Sequence, residues 1–312
     1  MIFIKKFSIM NFLRLRTFFK DNIDKETPTT RAMLSLNPNA IPLFEQNIHK
    51  INWEHLSENP NAIHLLEANI HKINWSRLSE NPNAIPLLEQ NVNKIVWYCL
   101  SENPNAIHIL EKNVNKICWD ALSRNPNAIH LLKENIRRID ISWWGLSSNP
   151  NAMPILEENI HRIDWSGLSR NPNPNAINLL KQNKNKIDWG WLSSNPNAMP
   201  ILKENENKID WDGLSRNPNA IPLLEQNIHK INWWYLSQNP NAIPLLEQNI
   251  HKINWFCLSA NPSIFEYDYQ AIKDRIYNSG LCEELMAVMF HPQNSHKWVD
   301  WGFEDMVPDG LE

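Results

Sequence analysis

The 312-residue chain contains little glycine and little cysteine. Seven glycines are too few for collagen, and no glycine-rich phosphate-binding motif is present. Four cysteines exclude a disulfide-based scaffold and favour a reducing compartment. No apolar run reaches the roughly 18 residues that are needed to span a bilayer. The metal-binding His-Glu-x-x-His motif and the nucleophile motif Gly-x-Ser-x-Gly are also missing. The sequence therefore predicts a non-enzymatic protein with no catalytic residue, cofactor or metal ion.

What the chain does contain is one short repeat. Seven of the nine spacings between successive copies of Asn-Pro-Asn-Ala are 22 residues and two are 24, and a diverged copy begins at Asn261. A fixed period of this length is typical of repeat proteins, in which each unit packs only against its neighbours. The ten copies begin at Asn37, Asn59, Asn81, Asn103, Asn125, Asn149, Asn173, Asn195, Asn217 and Asn239.

The second half of each unit has the pattern of an amphipathic helix. In the unit that begins at Ile51, Asn59 precedes a proline, and this pair is typical of a helix start. Apolar residues then follow at Ile63, Leu66 and Ile70, in steps of three and four. We predict a helix over 60–68, which we call the B helix.

The first half of the next unit predicts a shorter helix, the A helix. Asn74 is a suitable N-cap for a helix from Trp75 to Ser79, in which Trp75 and Leu78 share one face. Between the two helices, Asn69 is expected to end the B helix in a left-handed conformation or to join a buried hydrogen-bonded ladder.

Helices this short are not stable alone, so the units must stack into one continuous domain. We predict an all-α fold, an α-solenoid of about ten two-helix repeats of 22–24 residues with a helical C-terminal cap. The alternative is a β/α leucine-rich-like horseshoe, in which Ile-x-Trp forms a strand. The predicted divisions are a basic aromatic N-terminal segment or cap (1–33), the solenoid (34–262) and a helical C-terminal cap (263–312).

The repeat unit Trp-x-x-Leu-Ser-x-Asn-Pro-Asn-Ala-Ile resembles a family of largely uncharacterised tandem-repeat proteins of giant DNA viruses. The resemblance covers about Leu34 to Ser259, and the segment Glu284–Trp298 is similar to C-terminal tails of such proteins. It implies a viral source and a repeat architecture, and it implies no reaction. The reducing compartment that the cysteine content favours would then be one such as the host cytoplasm.

The two residues that directly follow each repeat tryptophan vary between units, whereas the residues around them are fixed. These two positions are therefore expected to face outward and to bind a partner. Aromatic residues at such positions are typical anchors of protein interfaces. The sequence therefore predicts a scaffold for protein–protein interaction, with a host protein as one expected partner. The predicted contact residues are Trp191, Trp234, Tyr235, Phe256 and Tyr98.

Other partners have weaker support in the sequence. Residues 1–20 carry five Lys or Arg and no acid, so they predict contact with a membrane surface or a targeting role as alternatives to a cap. The rest of the chain is net acidic, which disfavours a nucleic-acid-binding helical repeat. An adaptor that recruits host machinery through its terminal segments is a further alternative to the simple scaffold.

Overall fold

The computed structural model describes residues 13–21 and 28–278, and these residues are mostly helical with two short strands. Many short helices follow one another in a regular pattern, which confirms the predicted all-α solenoid. The β/α horseshoe is wrong, because the repeat tryptophan begins a helix and the residues before it belong to no strand. The described residues form two compact parts, one within 16–264 and one that joins 13–15 to 265–278.

Eleven A helices lie in the part that covers 16–264. Their bounds are Pro28–Leu34, Trp53–Leu56, Trp75–Glu80, Trp97–Glu102, Trp119–Leu122, Trp143–Ser148, Trp165–Arg170, Trp189–Ser194, Trp211–Arg216, Trp233–Leu236 and Trp255–Ser259. Most of them begin as predicted, with the side chain of Asn, Asp or Ser accepting a hydrogen bond from a backbone amide, as Asn74 does from Arg77 N. The N-terminal segment predicted over 1–33 therefore contributes the first A helix.

Ten B helices alternate with the A helices. Their bounds are Ile41–Glu45, Ile63–Glu67, Ile85–Gln90, Ile107–Lys112, Ile129–Glu134, Met153–Glu158, Pro174–Gln182, Met199–Glu204, Ile221–Glu225 and Ile243–Glu247. A short 3-10 turn follows nine of them, at Ile48–Lys50, Ile70–Lys72, Val92–Lys94, Val114–Lys116, Ile160–Arg162, Lys184–Lys186, Glu206–Lys208, Ile228–Lys230 and Ile250–Lys252. Further 3-10 turns lie at Pro38–Ala40, Pro196–Ala198, Pro240–Ala242 and Pro262–Ile264.

The B helix is shorter than the sequence predicts. In the second unit it begins at Ile63, because the side chain of Asn59 accepts a hydrogen bond from Asn61 N and holds the preceding residues in a separate turn. The prediction for Asn69 was also partly wrong. Its φ is −135°, outside the left-handed region, and its amide ends the helix by donating to the carbonyl of Leu65 at 2.9 Å.

The buried ladder is made by a different asparagine, the first of each Asn-Pro-Asn motif. The Nδ2 of Asn59 donates to the carbonyls of Ser35 and Asn37 in the preceding unit, at 3.0 and 2.9 Å. The Nδ2 of Asn81 donates to Ser57 and Asn59 in the same way. The Oδ1 atom of each of these asparagines accepts a hydrogen bond from the backbone amide two residues later. Every polar atom of these side chains therefore has a hydrogen-bond partner. Eleven asparagines, each no more than 2% exposed, form this ladder.

The ladder has no free end. Asn37, in the first unit, donates to the carbonyls of Ser259 and Asn261, in the last one, at 3.1 and 2.9 Å. Asn39 donates to Pro262 O as its equivalents do between consecutive units, and the A helices Pro28–Leu34 and Trp255–Ser259 pack together. The last unit therefore packs on the first as any unit packs on the next, and the repeats over 28–264 close into a ring of eleven.

The segment 171–175 reads Asn-Pro-Asn-Pro-Asn, so two asparagines could occupy the ladder position of this unit. We call the eleven asparagines of the ladder the ring asparagines. Asn171 is fully buried and bonds to the carbonyls of Ser147 and Asn149, although the four-residue motif itself begins at Asn173. Asn173 instead caps the helix Pro174–Gln182 by accepting from Asn175 N. The two extra residues therefore follow the ring position and lengthen one B helix.

A buried serine in each unit links consecutive A helices through hydrogen bonds, next to the ring asparagines. Ser57 Oγ donates to Trp53 O at 2.7 Å in its own helix and accepts from Asn74 N of the next unit at 3.0 Å. Equivalent serines in the other units are buried as well. A hydroxyl suits this position because it donates and accepts in a small volume.

A cation covers the repeat tryptophan in eight units. The Lys or Arg that ends the unit lies over the indole of the same unit, with its charged group 4.1–4.9 Å from the ring centroid. Each such contact contributes on the order of 0.5–1 kcal/mol at an exposed site. Trp255 is contacted instead by Phe19, which is buried and lies in the short helix Thr17–Lys20.

The second compact part contains a two-stranded antiparallel sheet. β1 (Leu13–Leu15) pairs with β2 (Phe265–Tyr267), and Arg14 forms an ion pair with Glu266. The helix Tyr269–Asn278 follows, within the segment predicted to form a helical C-terminal cap (263–312). The rest of that predicted cap, 279–312, lies outside the described residues, as do residues 1–12 of the basic segment.

Candidate functional site

The variable positions of the repeat lie on the A helices, on the inner side of the ring. The backbones of most consecutive A helices approach one another more closely than those of consecutive B helices, so the A helices occupy the shorter circumference. Within Trp165–Arg170, Leu168 and Ser169 are buried against neighbouring units. The first residue after the tryptophan and the residue before the ring asparagine remain for the inner face. The second residue after the tryptophan is buried in some units, as at Gly167 and Cys99, and half-buried in others, as at Trp191.

The five predicted contact residues all lie on this face but do not form one cluster. Trp234 is 47% exposed and Tyr98 is 49% exposed, whereas Trp191, Tyr235 and Phe256 are half-buried. The rings of Trp234 and Phe256, from adjacent units, have centroids 6.0 Å apart. The other three contact different groups: Trp191 meets a tryptophan two units away, and the two tyrosines each meet an arginine.

Trp144, which was not among the predicted contact residues, meets Trp191 with ring centroids 6.3 Å apart. These residues belong to alternate units, and Gly167 belongs to the unit between them. A Cβ atom at Gly167 would lie only 2.5 Å from the carbonyl oxygen of Trp144, so this helix packs against its neighbour more closely than any other residue would allow. The absence of a side chain there leaves the space in which the two rings meet. The paired tryptophans at 143 and 144 were the available signal.

Three arginines lie near these aromatic side chains. Each of the three directly precedes a ring asparagine in the sequence. The guanidinium of Arg170 lies 5.0 Å from the Trp191 centroid and 6.0 Å from that of Trp144. Arg216 lies 3.7 Å from the centroid of Tyr235. Stacking of this kind restricts the guanidinium while its edge remains available for hydrogen bonds.

Arg124 differs from the other two because acidic groups neutralise it. Its Nε donates to Glu102 Oε1 at 3.0 Å, Asp120 Oδ2 lies 3.7 Å away, and its Nη2 donates to the hydroxyl of Tyr98 at 3.0 Å. Burial alone would lower the pKa of Arg124, but the hydrogen bond and charge of Glu102 outweigh it and hold that pKa above its ordinary value.

The three arginines and the two tryptophans line a cavity of about 550 Å³, which we call the arginine cavity. No carboxylate lines it. A smaller cavity of about 220 Å³ shares Trp191, Ser194 and Arg216 with it and is also lined by Asp188, Asp210 and Asp212. The inner face therefore offers a basic aromatic space beside an acidic one.

Within 13–21 and 28–278, no three or more His, Cys, Asp or Glu side chains are grouped so that they could hold a metal ion. Among the helices of that same portion, none combines the length and apolar character that a bilayer crossing requires.

Comparison of the chain with protein-family models, with curated proteins and with solved structures gives no match.

Proposed function

We propose that this protein is a non-enzymatic scaffold that binds a protein partner through the inner face of its ring. The observation that supports this most directly is the contact between Trp234 and Phe256 on adjacent A helices. A large aromatic side chain that is nearly half exposed on a rigid frame offers apolar area at little conformational cost, which is typical of interface anchors. The viral source and the host partner suggested by the repeat's resemblance are part of this proposal.

The frame around this pair supports the same proposal. Leu236 and Ser237, which follow the aromatic residues, are fully buried, and Asn239 is held in the ring. Residues that vary between units can therefore change without loss of the packing that holds the units together.

The test is capture of partners by the full-length protein and by a variant that carries Trp234→Ala and Phe256→Ala. We expect the paired change to reduce capture at least roughly tenfold, since hot-spot residues contribute about 2 kcal/mol or more each. Thermal unfolding of the variant should resemble that of the wild type, because neither side chain is fully buried.

A matched control changes Ile70→Ala and Val92→Ala, which are 47% and 45% exposed but lie in the 3-10 turns after B helices. This control should capture the same partners as the wild type. Equal capture by all three proteins would refute the proposed contact surface. The adaptor alternative depends on terminal segments that lie largely outside the described residues.

A further inference from the structure

Charge is segregated along the inner face at the position before the ring asparagine. Three consecutive units carry Glu58, Glu80 and Glu102 there. The units that follow carry Arg124, Arg170 and Arg216, with Ser148 and Ser194 in alternation. The arginines bring their charges to the wall of the arginine cavity, whereas the glutamates lie outside it.

Two of these positive charges are not neutralised by the protein. Within the described residues, Arg170 and Arg216 have no carboxylate oxygen within the 4.0 Å of an ion pair. Asp188 and Asp210, in the smaller cavity, each accept a backbone amide of their own A helix, from Trp191 and Gly213. Arg124 is therefore ion-paired with Glu102 and Asp120, whereas Arg170 and Arg216 bring unpaired positive charge to the arginine cavity. Arg216 also lines the neighbouring acidic cavity, beside Asp212.

The aromatic rings determine how these arginines can bind. The guanidinium groups of Arg170 and Arg216 each lie near an aromatic ring, and within the described residues their N–H groups donate no hydrogen bond. A planar guanidinium edge matches two oxygen atoms of a phosphate or carboxylate group. Two such edges in one cavity favour a ligand with two or more negative charges close together, which a phosphate ester or a diphosphate provides and a single carboxylate does not.

The serines add a second constraint on the ligand. Ser148 Oγ donates to Gly145 O and Ser194 Oγ donates to Trp191 O, both at 2.8 Å. Their hydrogen atoms are therefore already used, and their oxygens can only accept further hydrogen bonds. A ligand with hydroxyl or amino groups beside its phosphates would satisfy them, and a volume of about 550 Å³ is within the usual range for small-molecule sites.

We propose that the arginine cavity binds a small phosphorylated molecule that carries at least two negative charges, through the guanidinium groups of Arg170 and Arg216. Trp144 and Trp191 hold Arg170 in place, and Tyr235 holds Arg216. This inference is independent of the protein partner proposed above, since the Trp234–Phe256 pair does not line the cavity.

The experiment is calorimetric titration of the full-length protein with inorganic pyrophosphate, and with malonate as a dicarboxylate, which carries a smaller negative charge at neutral pH. We expect pyrophosphate to bind, and to bind more tightly than malonate. Arg170→Gln and Arg216→Gln should each weaken pyrophosphate binding at least roughly tenfold, because each removes a charge-assisted hydrogen-bonding edge. Two separate variants keep the test valid if one of them folds poorly, which thermal unfolding would reveal.

The matched control is Arg162→Gln, which removes an arginine stacked 4.1 Å from the Trp143 centroid but outside the cavity. It should bind pyrophosphate within about twofold of the wild type, since only an exposed charge is lost. No pyrophosphate binding by the wild type, equal binding by the cavity variants, or malonate binding as tight as pyrophosphate binding would each overturn the proposal.

Discussion

The ring asparagine combines burial with complete hydrogen bonding of its amide. Asn103 donates to two carbonyls of the preceding unit, at 3.0 and 2.9 Å, and accepts from Asn105 N at 3.0 Å. A side chain that lacked these donors would leave two buried carbonyl oxygens without a partner. Asparagine is recurrent here because an amide donates twice and accepts in one plane.

Asn103→Ala should therefore destabilise the protein by about 1–3 kcal/mol for each carbonyl left without a donor. The midpoint of urea unfolding measures this. Asn115→Ala, at an exposed asparagine of the same unit, should change stability by less than about 0.5 kcal/mol. A similar midpoint for both variants would contradict the role of the ring.

Two cysteines on the A helices are buried thiols. Burial raises the pKa of Cys99 and of Cys257, and the nearby acids Glu80 and Glu102 raise that of Cys99 further. The thiolate, which is the reactive form, is thus disfavoured in the folded protein. Since an unfolded thiol loses its proton first as pH rises, these thiols reduce folding stability above about pH 8.5, the ordinary thiol pKa.

Peptide mapping after iodoacetamide treatment at pH 8 should accordingly find Cys99 and Cys257 modified more slowly than the half-buried Cys118. All three should react alike after denaturation in urea. Rapid modification of Cys99 in the native protein would contradict this prediction, because it would show that the Cys99 thiol is accessible to the reagent.

At the scale of the helix, part of the structure follows directly from the sequence. The A helix from Trp75 was predicted correctly because its N-cap asparagine is a local signal. The start of the B helix was predicted three residues early, since Asn59 could cap either the helix or the preceding turn and only the structure shows which. Trp144 was missed because its contact with Trp191 depends on the spacing of three A helices, which no local pattern encodes.

That spacing depends on glycine. Gly167→Ala places a Cβ 2.5 Å from a backbone carbonyl that cannot easily move, so we expect separation of two A helices and destabilisation of about 1–3 kcal/mol. Gly190→Ala is the matched control, because its Cβ would approach only the Asp188 carboxylate, at 3.3 Å. The control should be neutral or stabilising by up to about 1 kcal/mol through helix propensity.

Thermal unfolding of the two glycine variants gives the comparison. If Gly167→Ala unfolds at the same temperature as Gly190→Ala, then close packing at Gly167 does not determine the spacing of these helices. The pyrophosphate titration of the same variants would show whether that spacing also shapes the arginine cavity.

At the scale of the whole repeat array, ring closure was not predicted. The period of 22 residues fixes how each unit packs on the next, but not the small rotation between them, and eleven units close only if each contributes about 33°. The sequence predicted terminal caps because an open array exposes its end units. In the structure, the first and last A helices cover one another.

Closure predicts that the end units are as stable as the central ones. Hydrogen exchange of backbone amides should show similar protection in the A helices Pro28–Leu34, Trp143–Ser148 and Trp255–Ser259, because in a closed ring each of them lies between two other A helices. In an open array the first and last units would fray and exchange faster. Rapid exchange confined to the first and last of these helices would mean that the ring opens in solution.

The closed ladder of asparagines also restricts how such a gene can change in length. An open array can gain or lose a copy by duplication or deletion, because the new end is covered as the old one was. Here an added or missing copy would alter the rotation required of every remaining unit and would separate Asn37 from Asn261. Recombination between these nearly identical stretches of coding sequence should therefore yield misfolded products, and eleven is the copy number that selection has to maintain.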